Sequence, residues 1–463
     1  MQAKLYPYKL LLALLLSGFG ISAQAQFTLE GQYRPRTEIR NGFKSPILEG
    51  QQPAIFTEHR ARITAGYGMD KIGFKMSVQD VRIWGETGQI NKTDNLLSIH
   101  EAYGEYKPNA QFTLRVGRQE IALDGHRFFG TLDWAAQARA FDAVQLMYQD
   151  SLGRQFRIMG SFNQNGWTGQ SAPEPAKNVG NQYYGGAYQG ANPYTTFGLG
   201  LPKAQLLAYG KQVWDKGSIS VMGLADFIQP ETGDTYPYFH LGITPEYKLG
   251  AVKVLSQIYY SAAKQTLSDT NAELEDMTYS GYFLHLSLQH TQLKGKPLIG
   301  VDYISGDDKS TANTIEGWAP LYGTNHKFYG FMDYFYVGSG HNGGGNQMSG
   351  GLIDTYLKTT FSINKSTKLL AHLHAFMSPT TVNDPTGTTE SLAPYLGTEV
   401  DLVLVKKLAP SLTLKAGYSQ MFATTSMQQV KGQFDSTTNT YKQAKGFQNW
   451  SWVMLNFTPK FLN

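Results

Sequence analysis

The chain has 463 residues, no cysteine, a formal charge of +4 and only 16% charged residues. The missing cysteine excludes disulfides, thiolate metal ligands and a cysteine nucleophile, and the near-neutral balance gives no reason to expect a nucleic-acid partner. Charge well below the ~25% of an ordinary soluble domain, beside 49 Gly, 28 Tyr and 25 Phe, suits a β-barrel that faces lipid outside and water inside, with aromatic residues at the interfaces.

At the N-terminus, Lys4 and Lys9 lead into an almost wholly apolar run over 10–20, and Ala23-Gln24-Ala25 follows. This is the layout of a signal peptide over 1–25, cleaved before Gln26, and the apolar run is shorter than the ~20 residues of a spanning helix. Its removal takes two lysines and lowers the formal charge from +4 to +2. Residues 26–463 contain no linker and are expected to form a single barrel domain. No later stretch reaches ~18 consecutive apolar residues, so a transmembrane helix is not expected.

Period-two alternation of apolar and polar residues recurs along the mature chain. It places strands at 27–40, 55–68, 71–83, 95–107, 111–122, 138–149, 154–163, 202–213, 217–228, 236–248, 250–262, 277–290, 296–305, 351–363, 367–378, 393–406, 411–422 and 448–458. Many run to about 10–13 residues, the length of a tilted transmembrane strand. Short connections such as Met69-Asp70 and Trp214 to Lys216 alternate with long polar ones at 164–201, 306–350, 379–392 and 423–447. That rhythm predicts an all-β fold: an up-and-down antiparallel transmembrane barrel of about eighteen strands, with short periplasmic turns and long extracellular loops.

The first strands are chemically distinct. All twelve arginines lie between Arg34 and Arg157. Arg34, Arg36, Glu38 and Arg40 fall on one strand face, and Glu58, Arg60 and Arg62 on one face of the next. Arg115 lies opposite Leu114 and Val116, and Arg157 opposite Phe156 and Ile158. An arginine on the lipid side at mid-bilayer costs ~2–4 kcal/mol, so these faces are expected to point into the lumen. There they either pair with Glu38, Glu58, Glu101, Glu105 and Glu120 to brace the wall, or form an electropositive constriction that favours anions.

Between the fifth and sixth strands the chain reads Gly117-Arg118-Gln119-Glu120, then Asp124-Gly125-His126-Arg127-Phe128-Phe129-Gly130, Asp133-Trp134 and Arg139-Ala140-Phe141-Asp142. This string, after the arginine-rich strands one and two, resembles the alginate export family of outer-membrane proteins, most specifically over residues 27–163. The resemblance implies an eighteen-stranded barrel with an arginine-lined pore for an anionic polyuronate. It implies that Arg118, Arg127, Arg139 and Asp142 line or brace the constriction. Beyond Arg157 any positive charge on the opposite wall must come from Lys253, Lys358 or Lys415.

Later signals are sparser. His372 and His374 share a strand face and could share a metal, but two residues suit polar lining as well. Gly306-Asp307-Asp308 lacks the regular oxygen spacing of a calcium loop, and Gly343-Gly344-Gly345 lacks the Lys-Ser/Thr of a phosphate cradle. In the last strand Val453, Leu455 and Phe457 share a face opposite Trp450 and Trp452, an aromatic ending that resembles the signal read by the barrel-insertion machinery. The expected function is a passive outer-membrane porin for an anionic solute, acting without cofactor or covalent chemistry and as a monomer. A sugar or acid uptake porin, an adhesive or structural barrel, and an outer-membrane hydrolase are the alternatives.

Overall fold

The computed structural model describes residues 26–90, 97–163, 202–228, 235–266, 276–335 and 350–462. The expected signal peptide and the Gly343-Gly344-Gly345 loop lie outside these residues.

Eighteen antiparallel strands form the barrel: β1 (Gln26–Asn41), β2 (Ala54–Met69), β3 (Ile72–Ile83), β4 (Leu97–Tyr106), β5 (Phe112–Gln119), β6 (Phe141–Gln149), β7 (Gln155–Phe162), β8 (Ala204–Trp214), β9 (Gly217–Ile228), β10 (Tyr236–Leu249), β11 (Val252–Gln265), β12 (Met277–His290), β13 (Leu298–Ile304), β14 (Leu352–Asn364), β15 (Thr367–Met377), β16 (Tyr395–Ala409), β17 (Leu412–Ala423) and β18 (Gln448–Phe457). Each strand pairs with its sequence neighbour, and β1 closes the ring against β18, with Arg36 opposite Met454 and Arg40 opposite Trp450. Closure removes the free sheet edges, the condition for crossing a bilayer with strands.

The burial pattern is that of a globular protein turned inside out. On β12, Leu284, Leu286 and Leu288 are 43–46% exposed, while Phe283, His285 and Ser287 between them are at most 5% exposed. Outward apolar side chains meet lipid, and the inward set, polar and aromatic, meets material filling the lumen. Alternation therefore sets the register, because a one-residue slip would turn the charged set into the hydrocarbon. At Gly417 on β17 a Cβ would collide with the Trp452 indole, so glycine alone lets that β18 tryptophan lie flat on the inner wall.

The lumen is filled by two inward loops, residues 120–140 between β5 and β6 and residues 305–335 between β13 and β14. Phe128, Phe129, Trp318, Tyr329 and Met332 are each at most 1% exposed, and they pack as one cluster with Tyr259 and Phe283 of the wall. The loops also join by backbone: the Gly130 N–H donates to the Tyr322 carbonyl at 2.9 Å and the Thr324 N–H to the His126 carbonyl at 3.0 Å. A Cβ at Gly130 would collide with Thr324 Oγ1. This close approach explains the glycine that ends the Asp124…Arg127…Gly130 string.

Candidate functional site

Three residues of the 120–140 loop anchor it at widely separated points of the wall. Asp124 Oδ1 accepts from the Tyr209 hydroxyl of β8 at 2.9 Å and from Ser220 of β9 at 2.7 Å. Arg127 reaches β13, where Nη1 donates to Asp302 at 2.8 Å, and its guanidinium lies 3.6 Å from the centre of the Phe328 ring. Both ionic partners are buried, and the carboxylate holds the guanidinium pKa above its ordinary value in spite of the burial that opposes it. Asp133 closes the third anchor, accepting from Arg60 of β2 at 2.6 Å and lying 3.5 Å from Arg34 of β1.

The β1–β2 arginines also take up the loop's backbone. Arg34 donates to the Asp133 carbonyl at 2.7 Å and the Ala135 carbonyl at 3.2 Å, and Arg60 to the Ala136 carbonyl at 3.3 Å. Arg36 donates to the Trp134 carbonyl at 2.8 Å, pairs with Glu38 and Glu58, and stacks 3.9 Å from the Trp134 ring. Trp134 in turn stacks on His326 at 4.5 Å and meets Trp452 edge-on at 4.8 Å. Arg139 donates to the carbonyls of Tyr322 and Gly323 and so binds the two loops together. Arg40 is held by Glu38 at 2.8 Å and lies over Phe43 and Phe56.

Thus Arg34, Arg36, Arg40, Arg60 and Arg62 all face inward, as alternation requires, and all but Arg62 are occupied by carboxylates. Arg62 contacts Gln79 at 2.7 Å. Arg118 and Asp142 stand elsewhere. Register partners on β5 and β6, they pair at 2.8 Å, but they share the parity of Val116 and Val144, whereas Gln119 and Phe141 beside them point inward. The expectation that they line the constriction is therefore corrected: they form an ion pair on the outer face, at the loop end of the barrel.

Below the 120–140 loop, towards the short turns, lies an open vestibule. A cavity there has a volume of about 950 Å³ and is lined by Lys71, Lys107, Arg115 and Arg157 against Asp70, Glu105 and Asp150. Arg115 pairs with Glu105 at 2.6 Å. Arg157 bonds Gln155, at 3.1 Å, and has no carboxylate partner among the described residues. Lys415 does not stand opposite the arginines. It is opposite Met454, which is opposite Arg36, so it extends the same wall across β17. Lys253 is neutralised by Glu246 at 2.7 Å, and Lys358 reaches the Phe328 carbonyl at 3.5 Å.

The far wall carries acids that sequence reasoning missed, beside the His374 that it named. Asp226, Asp302, Asp354, Glu399 and Asp401 are at most 1% exposed, beneath Arg127 and the 305–335 loop. Asp226 accepts from Tyr322 at 2.7 Å, and Asp354 contacts His374 at 2.9 Å. Inward parity of these carboxylates on otherwise apolar strands was the available signal.

Comparison with known proteins agrees with this architecture. Residues 19–193 match the model of a family described as alginate export. The fold is similar to the crystal structure of Pseudomonas aeruginosa OpdL at 12% identity and a TM-score of 0.56, with 94% of this chain and 99% of that chain covered. It is similar to P. aeruginosa OccK8 (OprE) at 9% identity and 0.55, covering 94% and 98%, and to Acinetobacter baumannii OccAB2 at 13% and 0.53, again covering 94% and 98%. No curated protein matches the chain. The chain thus shares the fold of these structures, a closed antiparallel barrel of eighteen strands.

Proposed function

We propose that this barrel is a passive channel for an anionic solute, with anionic saccharides of the alginate class as the leading candidates. The observation that carries the reading is Arg157, a vestibule guanidinium with no carboxylate partner among the described residues, on a wall that also presents Arg62, Lys415 and the Glu105-paired Arg115 to the lumen. A guanidinium presents a planar fork of donors that matches a carboxylate. Several such groups along a wet wall let an anion exchange one partner for the next. Each contact must stay weak enough to release, or conduction stops.

On this reading the buried arginines have a different task. Arg34, Arg36, Arg60, Arg127 and Arg139 are committed to holding the two loops and so set the width of the path. Selectivity then belongs to Arg62, Arg115, Arg157 and Lys415. The name of the matched family supports a polyuronate over a small acid.

The test is permeation into liposomes that carry the purified protein. Uronate oligosaccharides should enter faster than neutral oligosaccharides of equal length, and Arg157→Gln should reduce that preference several-fold without changing neutral permeation. Equal rates for the two sugars would overturn the reading.

A further inference from the structure

β15 and β16 pair with His372 opposite Asp401 and His374 opposite Glu399. All four residues point inward, as a two-by-two block on adjacent strands whose opposed Cβ atoms are ~5 Å apart. His374 and Glu399 are 0% exposed and Asp401 is 1% exposed. His372 Nδ1 and His374 Nε2 are buried with no hydrogen-bond partner among the described residues, and the buried Glu399 Oε2 and Asp401 Oδ2 have only each other, which takes a shared proton to satisfy. Such orphans are rare in folded proteins, and leaving one unpaired is costly.

The other side of three of these groups is held in place. The Asp354 carboxylate lies 2.9 Å from His374 Nδ1, the Ser419 hydroxyl donates to Asp401 Oδ1, and the Met332 N–H donates to Glu399 Oε1 at 2.8 Å. A carboxylate behind an imidazole fixes its tautomer and aims the free nitrogen, the usual outer-shell partner of a metal-bound histidine. One ligand atom from each of His372, His374 and Asp401 lies within 4.8 Å of the others, and His374 Nε2 is 3.9 Å from Asp401 Oδ2. Zinc bonds of ~2.0–2.2 Å need ligand atoms closer than this, so a small inward rotation of each side chain completes the site. Lys358, opposite His372, directs its ammonium to the Phe328 carbonyl and supplies a donor to none of the four.

We infer that His372, His374 and Asp401, with Glu399 alongside, bind one divalent transition-metal ion of the zinc class. Two imidazoles and a carboxylate suit zinc and its first-row neighbours and disfavour calcium and magnesium, which take oxygen. The ion would lie under the 305–335 loop, where Phe331 packs on His372 at 5.0 Å and Met332 bonds Glu399. Its role would be to fasten that loop to the wall. The inference does not depend on which solute the channel passes.

The experiment uses the full-length, untagged barrel in detergent, stripped with chelator and titrated with Zn²⁺ alone by calorimetry and with Co²⁺ by visible absorption. One equivalent should bind, the Co²⁺ spectrum should show the intense d–d bands of a low-coordinate site, and His372→Gln or Asp401→Asn should weaken binding at least ~10-fold. Heat-modifiable migration on a gel reports whether each variant still forms the barrel. Lys358→Met leaves all the ligands in place and should tighten binding by removing a neighbouring positive charge. No saturable binding to the native protein would overturn the inference and leave a proton shared between Glu399 and Asp401 as the answer to the orphaned oxygens. Binding unchanged in folded His372 and Asp401 variants would overturn it equally.

Discussion

Asp133 lies between two guanidinium groups and fastens the middle of the 120–140 loop to the first two strands. Its side chain is 59% exposed, so the desolvation that would raise its carboxyl pKa is partial, and Arg60 and Arg34 hold it below its ordinary value. A group whose folded pKa is depressed gives stability that is fully present above the unfolded value, ~3.9, and is lost as pH falls through the lower folded value. The anchor should therefore hold at neutral pH and release below about pH 4. Hydrogen exchange of residues 131–137 should accelerate in that range, and Asp133→Asn should reproduce the acceleration at neutral pH. Arg127 is a stronger case, because its pair with Asp302 is buried on both sides. Arg127→Gln removes the full positive charge from the buried Asp302 carboxylate, leaving it the His285 imidazole alone at 2.6 Å, and should cost about 3 kcal/mol in denaturant unfolding. Arg157→Gln, with one hydrogen bond to lose, should cost about 1 kcal/mol or less. The inward facing of the β1 and β2 arginines is legible from spacing alone. Their partners are not, since Arg34 and Asp133 are 99 residues apart and Arg127 and Asp302 are 175 apart. For Arg118 and Asp142 the motif points one way and strand parity the other, and parity is right. Val116 and Val144 already mark their face as the outer one.

Each strand appears where alternation puts it, because the alternation records a physical boundary between lipid and lumen. The deviations are at strand ends. β5 stops at Gln119 instead of running to 122, and β6 begins at Phe141 instead of 138. Glu120 leaves the ladder to bond His100 at 2.8 Å, and at the other end Ala138 takes a φ of 57° while the Arg139 N–H donates to Thr131. On β16, alternation groups Leu396 with Thr398 and Val400, yet Leu396 is 0% exposed. The register shifts there, beside Gly397 at φ 154°, and the bulge turns Leu396 inward. The inward loops are not legible in the sequence, for their polar stretches resemble those of any exposed loop, and only the buried aromatics show the difference. Two outcomes follow at this scale. Leu284→Arg, at the middle of the lipid face of β12, should destabilise the barrel by about 2–4 kcal/mol in vesicle-based unfolding, and Leu288→Arg, nearer the turn, should cost less. Gly130→Val should force the two loops apart and raise single-channel conductance, because its side chain would occupy the position of Thr324.

Across the whole molecule, charge is segregated. Arginine is confined to β1–β7 and their connections, while Asp226, Asp302, Asp354, Glu399 and Asp401 stand on the far side of the ring. The far acids are covered by Arg127 and the 305–335 loop, so the surface left open to water is the vestibule, where Lys71, Lys107, Arg115 and Arg157 stand against Asp70, Glu105 and Asp150. Barrel, strand number and the specialised wall can be read from the chain, whereas the acidic counter-wall emerges only when closure brings β9–β16 round to face β1–β7. The most direct measurement is the zero-current potential of the purified protein in a planar bilayer under a salt gradient. Anion selectivity is predicted, falling stepwise as Arg157, Arg115 and Lys415 are neutralised and becoming steeper at low salt, where screening is weak. Cation selectivity, or anion selectivity indifferent to those three substitutions, would contradict it.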